Sequence, residues 1–280
     1  VSYSLIDSGG RRKLERFGPV LLDRPSLQAV WRPKNETRWK SKDAFFTRDT
    51  RGEWRGIENL PQEWEITVSG IRFLLRPTDF GHIGIFPEQR PFWHWMEKTV
   101  SRSFATRKTL KVLNLFAYSG GSTLACAKGG AEVTHLDASK KMVGWARENA
   151  ALNSLADAPI RWIVDDVRKF LKREVKRGRK YDAVILDPPS FGRGVKGEVF
   201  KIEEDLLEIL AGCRSLLSDN PLFLFLTCHT PGYTPTVLKH LMEETLEGQG
   251  GKIDAGEMLL EGEEGVLPLP SGSFARWEAC

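Results

Sequence analysis

At four places, each at the end of an apolar run, polar side chains stand where this sequence could do chemistry. Asp137 closes AEVTHL, Asp165–Asp166 closes IRWIV, Asp187 closes YDAVIL and Cys228 closes PLFLFLTC. Runs of this length read as buried strands, and open α/β sheets bind ligands at the carboxyl ends of their strands. A single Asp in such a place is usually a helix cap. Three in succession, behind a glycine turn, point instead to a ligand rich in hydrogen-bond donors. The turn lies in TLKVLNLFAYSGG, from Thr109 to Gly121, and runs straight into a small-residue helix start at Ser122 and Thr123. Glycine there is expected to let a ligand approach the backbone, because a Cβ would block the path. Asp137 follows Asn114 at about the 20-residue interval at which an acidic residue accepts ribose hydroxyls.

The elements that position these groups alternate from Thr109 onward. Strands are expected at 111–116, 132–136, 161–164, 183–186 and 222–227, with helices at 122–128, 140–153, 167–175, 203–217 and 234–247. Residues 250–260 and 273–277 read as closing strands around a loop at 262–272 that carries Pro268 and Pro270. Apolar strands joined by helices imply a parallel sheet covered on both faces. The fold class expected is therefore α/β: a Rossmann-like, mostly parallel sheet with a closing antiparallel strand. A small β-rich N-terminal domain precedes it over residues 1–80, a connecting loop and helix fill 81–108, and the ligand-binding domain occupies 109–280. In the N-terminal part the clearest signal is a hairpin, two alternating runs (64–68 and 71–76) around Ser69–Gly70; weaker runs stand at 18–23 and 28–31.

Taken in order, NLFAYSGG, LDAS, DDV and DPPSFGRG resemble the Rossmann-type S-adenosylmethionine-dependent methyltransferases related to the large-subunit ribosomal RNA cytosine-C5 methyltransferases. Asn114 and the Ala-Tyr-Ser of the turn depart from the general pattern of such enzymes in the way this branch does. The resemblance implies S-adenosylmethionine as cofactor. Its amino-acid end would sit at Phe116, Ala117, Tyr118, Ser119 and Gly120, and its ribose at Asp137, beside Ala138 and Ser139. Asp166 and the backbone N–H of Val167 would take the adenine. Phe86, Gln89 and Arg90 would meet the methionine end, where a guanidinium can pair with a carboxylate. Asp187 would reach both cofactor and target, with Pro188, Pro189, Ser190 and Phe191 against the target base.

By the same resemblance Cys228 is the nucleophile. Carbon-5 of cytosine is a poor nucleophile, and thiolate attack at carbon-6 would make it an enamine able to accept a methyl group. His229 could lower the thiol pKa or assist proton removal. The expected reaction is formation of 5-methylcytosine in ribosomal RNA. One alternative is methylation of an amino or ring nitrogen of a purine, for which DPPSF would hold the base and no cysteine is needed. Another is a cofactor-binding protein without catalysis. A dinucleotide site is disfavoured, because Ala117 and Tyr118 stand where a pyrophosphate-binding turn needs glycine.

Charge is unevenly spread. Residues 1–108 hold 20 Lys and Arg against 13 Asp and Glu, whereas residues 109–280 hold 21 against 24. The basic end is expected to meet a polyanion, here RNA. The segment from Trp31 to Arg55 interleaves Arg32, Lys34, Arg38, Lys40, Lys42, Arg48, Arg51 and Arg55 with Trp31, Trp39, Phe45, Phe46 and Trp54. Its aromatic residues would either stack on unpaired bases or pin a surface loop onto the sheet. No metal is expected: the five histidines and four cysteines lack ligand spacing. Cys126 and Cys213 fall among apolar helix neighbours and read as core. With no apolar run near the roughly 20 residues of a membrane span, no charged-then-apolar leader and no disulfide pattern, a cytoplasmic setting is expected. A start at Val1 rather than Met leaves room for residues upstream.

Overall fold

The structure is a computed structural model and describes residues 2–48, 52–104, 106–107, 109–194 and 197–280. Arg51 of the basic segment lies outside the described residues. The chain forms two compact units, 1–91 with 258–271 and 92–257 with 272–280.

The first unit begins with β1 (Tyr3–Gly9), β2 (Arg12–Phe17) and β3 (Val20–Pro25), then the short helix α1 (Glu36–Trp39), β4 (Ala44–Thr47) and β5 (Glu53–Arg55). These strands form one sheet in the order β1-β2-β3-β4-β5, antiparallel except for the β3–β4 pair. The expected hairpin follows as β6 (Trp64–Val68) and β7 (Ile71–Leu75), with Trp64 opposite Leu75. The apolar run at 28–31 forms no strand. Trp31 instead turns its indole inward, donating from Nε1 to the Ser8 carbonyl at 2.9 Å. Trp39 donates to Asp7 Oδ2 and Trp54 to the Thr78 carbonyl, both at 2.8 Å. All three tryptophans of the basic segment therefore pin loops rather than present indole edges to a partner. Arg38 pairs with Glu263 at 2.8 Å and Arg55 with Glu53 at 2.9 Å, so part of the basic charge is also spent locally.

The second unit takes most of helix α2 (Arg90–Phe104) and then alternates β8 (Lys111–Leu115), α3 (Gly121–Lys128), β9 (Glu132–Asp137), α4 (Lys140–Leu152), β10 (Ile160–Val164), α5 (Val167–Lys176) and β11 (Ala183–Leu186). A small antiparallel pair follows, β12 (Phe191–Arg193) and β13 (Val199–Lys201). Then come α6 (Ile202–Leu216), β14 (Phe223–Cys228), α7 (Pro235–Thr245), β15 (Lys252–Leu260) and β16 (Leu269–Glu278). The sheet order is β10-β9-β8-β11-β14-β16-β15, parallel through β14 and antiparallel between β14 and β16. This is the Rossmann-like sheet with an antiparallel closing strand that the sequence implied.

Strands β8, β11 and β14 are apolar almost throughout because helices cover both faces. On one face Phe92 and Trp95 of α2 meet Phe225 and Phe223 at ring-centroid distances of 4.8 and 4.7 Å. The other face packs Phe170 and Leu171 of α5 and Leu206, Ile209 and Leu210 of α6 into one core with Leu113, Val184 and Leu224. No helix among the described residues is long and apolar enough to cross a membrane.

Candidate active site

The sheet reverses direction of growth at β8. From it the chain builds β9 and β10 on one side, then crosses back to place β11 and β14 on the other. At such a switch point the two flanking connections leave in opposite directions and open a crevice above the strand ends. The register aligns Ile163, Leu136, Leu115, Leu186 and Leu226 in one row across the sheet. The residues that follow that row are Val164, Asp137, Phe116, Asp187 and Thr227. The glycine turn and Asp187 thus flank the switch point, with Asp137 on the next strand.

The turn is held in an uncommon backbone shape. Phe116 has φ +54° and Tyr118 φ +50°, and Gly120 follows at φ +94°. Left-handed values at large side chains cost free energy and persist only where surroundings enforce them. Here Asp137 does so, accepting from Tyr118 N at 2.9 Å through Oδ2 and from Ser139 N at 2.8 Å through Oδ1. Asn149 adds a second hold, donating from Nδ2 to the Ser119 carbonyl at 2.9 Å. Burial pushes the Asp137 carboxyl above its ordinary pKa, and the two N–H donors offset part of that rise.

The two glycines also serve the packing of the protein itself. A Cβ on Gly121 would stand 2.6 Å from the Trp93 ring, and one on Gly120 would meet Ala146 Cβ at 3.1 Å. Both positions require glycine for packing within the protein. Beneath the turn, Asn114 Nδ2 donates to Thr123 Oγ1 at 2.9 Å, and that hydroxyl lies 2.9 Å from His135 Nδ1. His135 is fully buried, and desolvation drops its pKa to about 3. Its folded pKa is lower than its unfolded one, so its contribution is complete above about pH 6.5 and is lost as pH falls toward 3. Between pH 7 and 5 the wild type is expected to lose about 2 kcal/mol more than His135→Gln, as read by urea unfolding at the two pH values.

On the adenine side, Asp166 is the N-cap of α5. Its Oδ1 accepts from Lys169 N at 3.0 Å, and Arg168 Nη2 lies 3.5 Å from its Oδ2. The ordinary capping role and the expected ligand role therefore fall on one carboxylate. Asp165 is engaged by the Asp166 N–H and by Arg173. Val167 is the first residue of α5, where an N–H lies outside the helix's own ladder. Ser139 caps α4 through Met142 N at 3.3 Å, and Ala138 sits between it and Asp137. Carboxylate acceptors at Asp137 and Asp166, with helix starts between them, suit the donors of a ribose and an adenine amine. The donor set fits an adenosyl ligand.

On the other side of the switch point, Asp187 Oδ1 lies 3.4 Å from His229 Nδ1. Ser190 Oγ and Thr230 Oγ1 are 2.7 Å apart, tying the Asp187-Pro188-Pro189-Ser190 turn to the loop after β14. Phe191 opens β12, is half exposed, and has the Arg193 guanidinium 5.8 Å from its ring centre. Cys228 ends β14. Its residue is 1% exposed within the apolar core, and Thr230 N donates to its sulfur at 3.4 Å. Burial raises the thiol pKa more than this bond and the nearby His229 lower it, and Asp187 adds to the rise.

Phe86, Gln89 and Arg90 belong to the first unit. Phe86 precedes a 3₁₀ turn at Pro87–Gln89, its ring 5.2 Å from His82. Gln89 is buried, and Arg90 Nη2 pairs with Glu261 Oε2 at 2.9 Å. Thr230 lies in the 227–230 segment expected to border the reaction site, whereas Asn149 and Arg168, which also hold site segments, were not singled out from the sequence. A polar residue buried among apolar helix neighbours was the one available signal, and it pointed only to Asn149. Among the described residues, no group of three or more His, Cys, Asp or Glu is placed to hold a metal ion.

Comparison with known proteins agrees with this geometry. The chain is 44% identical to the S-adenosylmethionine-dependent methyltransferase of Agrobacterium tumefaciens, whose crystal structure superposes with a TM-score of 0.93 over 99% of this chain and 90% of that one. A methyltransferase structure from Streptococcus mutans shares the fold at 18% identity, with a TM-score of 0.76 over 99% of this chain and 75% of that one. Among curated sequences, the ribosomal RNA large subunit methyltransferase K/L of Shewanella frigidimarina is 29% identical over 214 residues, 75% of this chain and 28% of the relative. The chain thus spans little more than a quarter of that relative's length. Residues 30–249 match the family model described as S-adenosylmethionine-dependent methyltransferase. With most of its length matched and its strand-end carboxylates set for an adenosyl ligand, the chain belongs to the family of S-adenosylmethionine-dependent methyltransferases.

Proposed function

We propose that this enzyme methylates a base of large-subunit ribosomal RNA, at an amino or ring nitrogen of a purine held over the Asp187–Phe191 turn. Support for an RNA substrate comes from the curated relatives, which are named as large-subunit ribosomal RNA methyltransferases. The excess of Lys and Arg in residues 1–108 adds to it. The observation that carries the choice of atom is the contrast between Asp187 and Cys228. The carboxylate stands at the switch point with a half-exposed aromatic ring four residues further along the chain, while the thiol is buried and its burial raises its pKa.

S-Adenosylmethionine supplies a methyl group on a sulfonium centre. In this reading Phe116–Gly120 hold its amino-acid end, Asp137 its ribose, and Asp166 with the Val167 N–H its adenine. Asp187 would accept a hydrogen bond from an amino or ring N–H of the base, raising electron density on that nitrogen; for a ring nitrogen that bears no hydrogen it would hold a neighbouring amino group instead. The N–CH₃ bond would form as the sulfonium–CH₃ bond breaks, leaving S-adenosylhomocysteine, and an N–H proton displaced by the methyl group would pass to Asp187 or to water. Pro188 and Pro189 have no N–H, so they add no competing donor, and their fixed φ holds the turn. Phe191 supplies a ring face for the base, which must leave its helical stack to reach the crevice. With the nucleophile already a nitrogen, catalysis is chiefly positioning.

The competing reading is 5-methylcytosine through Cys228. It is favoured by the place of Cys228 at the end of β14 and by the Thr230 N–H on its sulfur, a donor that also favours a thiolate. One experiment separates the two. Methyl-labelled cofactor is supplied with unmodified ribosomal RNA, and nucleosides are analysed for wild type and Cys228→Ala. A methylated purine made by both proteins at rates within about threefold supports nitrogen methylation. Labelled 5-methylcytosine that disappears in Cys228→Ala would replace it with the covalent route.

A further inference from the structure

Arg168 has no part in the chemistry above, yet it joins the cofactor side of the crevice to the base side. It is the second residue of α5 and three-quarters buried. Its Nη1 donates to Asp205 Oδ1 at 2.7 Å, and its Nη2 donates to the Val199 carbonyl of β13 at 2.8 Å. The same Nη2 lies 3.5 Å from Asp166 Oδ2. Asp205 uses its other oxygen to accept from Lys201 N at 2.9 Å, at the end of β13 and the start of α6. One rigid guanidinium thus touches the expected adenine acceptor, the β13 backbone and the carboxylate that caps α6. Strand β13 pairs with β12, Phe191 opposite Lys201, and β12 begins at the ring proposed to hold the base.

We infer that Arg168 is a positioning residue through which cofactor binding at Asp166 stiffens the β12–β13 pair and so prepares Phe191 for the base. The inference rests on the cofactor reading given above. Asp166 Oδ1 is already committed to Lys169 N, so an adenine amine donates to Oδ2, the oxygen that Arg168 approaches. That donor weakens the hold of Asp166 on Arg168. The guanidinium then commits fully to Asp205 and to the Val199 carbonyl, contacts that are already the shorter ones. A donor fork with fixed geometry transmits this shift, whereas a flexible ammonium would not. Charge-assisted bonds to a carboxylate and a carbonyl are strong enough to carry a coupling of this kind.

Two neighbouring links serve as controls. Lys169 Nζ pairs with Glu198 Oε1 at 2.5 Å and so holds the same strand pair without touching Oδ2 of Asp166. The Phe200 ring of β13 lies 5.2 Å from the Phe116 ring of the glycine turn, a contact that does not involve the guanidinium itself.

The test is hydrogen exchange at the amides of β12 and β13, with and without saturating S-adenosylhomocysteine, in the whole chain. Binding is measured separately by calorimetry. In wild type, the ligand is expected to slow exchange by about fivefold or more. Lys169→Ala should keep that slowing. Arg168→Met should bind the ligand yet lose the slowing, and Arg168→Lys should restore only a small part of it. The comparison is the ratio with and without ligand, so a general loosening of the strand pair cancels. Equal ratios in wild type and Arg168→Met would overturn the inference, as would ligand binding without any slowing in wild type. Failure of wild type to bind S-adenosylhomocysteine would instead overturn the cofactor reading beneath it. Should Arg168→Met not fold, Arg168→Lys still decides: a slowing equal to wild type would refute the role of the fork.

Discussion

Asp137→Asn is expected to weaken S-adenosylhomocysteine binding by about 100-fold, the cost of two charge-assisted hydrogen bonds of about 1.5 kcal/mol each. The carboxylate has two tasks in the structure. Its oxygens hold the N–H groups of Tyr118 and Ser139, and by the proposed function they also accept from the ribose. An asparagine keeps one acceptor and turns an NH₂ group toward one of those backbone donors, so the left-handed turn at Phe116–Tyr118 loses its clasp. Calorimetric titration measures the loss, and circular dichroism checks that the fold survives. Asp137→Glu, which keeps the charge but not the reach, should fall between the two. Affinity should also decline on acidification from a higher pH than for an ordinary Asp, because burial raises the Asp137 pKa. Binding within about threefold of wild type in Asp137→Asn would remove Asp137 from the site.

The largest effect on stability is expected from Arg24→Met in the first unit. Glu15 is fully buried and accepts from Arg24 Nε at 2.9 Å, from Arg24 Nη2 at 2.6 Å and from the Tyr3 hydroxyl at 3.0 Å. Lys13 Nζ stands 3.2 Å away. Removing the arginine leaves a carboxylate in a dry site with its main countercharge gone, which costs about 3–5 kcal/mol. Urea unfolding is the measurement. The double variant Glu15→Leu/Arg24→Met should recover most of the loss, since a well-packed apolar pair replaces the ion pair at little net cost. A single variant as stable as wild type would show that Lys13 and Tyr3 suffice to compensate Glu15.

The same pair shows why part of the fold was hidden in the sequence. Strand β2 reads RKLERF, with charges at four of six positions, and gives no alternating apolar signal. It is a strand because Glu15 is neutralised by Arg24, nine residues away on β3, and Arg12 by Asp23. Strands β12 and β13, three residues each, are too short for any periodicity to register. The alternation from Lys111 to Cys228 was legible for the opposite reason. Its central strands are buried on both faces and its helices on one, so each period is written locally in the apolar residues.

What the sequence determined by itself was the kind of sheet and the residues at its carboxyl edge: Asp137, Asp166, Asp187 and Cys228 each end an apolar run, and run length is a local property. The tertiary structure alone decided the surroundings of those residues. Strand order placed the glycine turn and Asp187 on either side of the switch point, because crossover direction is not encoded in any single segment. Packing against Trp93 and Ala146 fixed the reason for Gly121 and Gly120. Burial, with Asp187 nearby, raises the pKa of Cys228, which its place at a strand end does not reveal. Acidity, strain and coupling through a residue such as Arg168 depend on groups brought together from distant parts of the chain, and only the folded molecule brings them together.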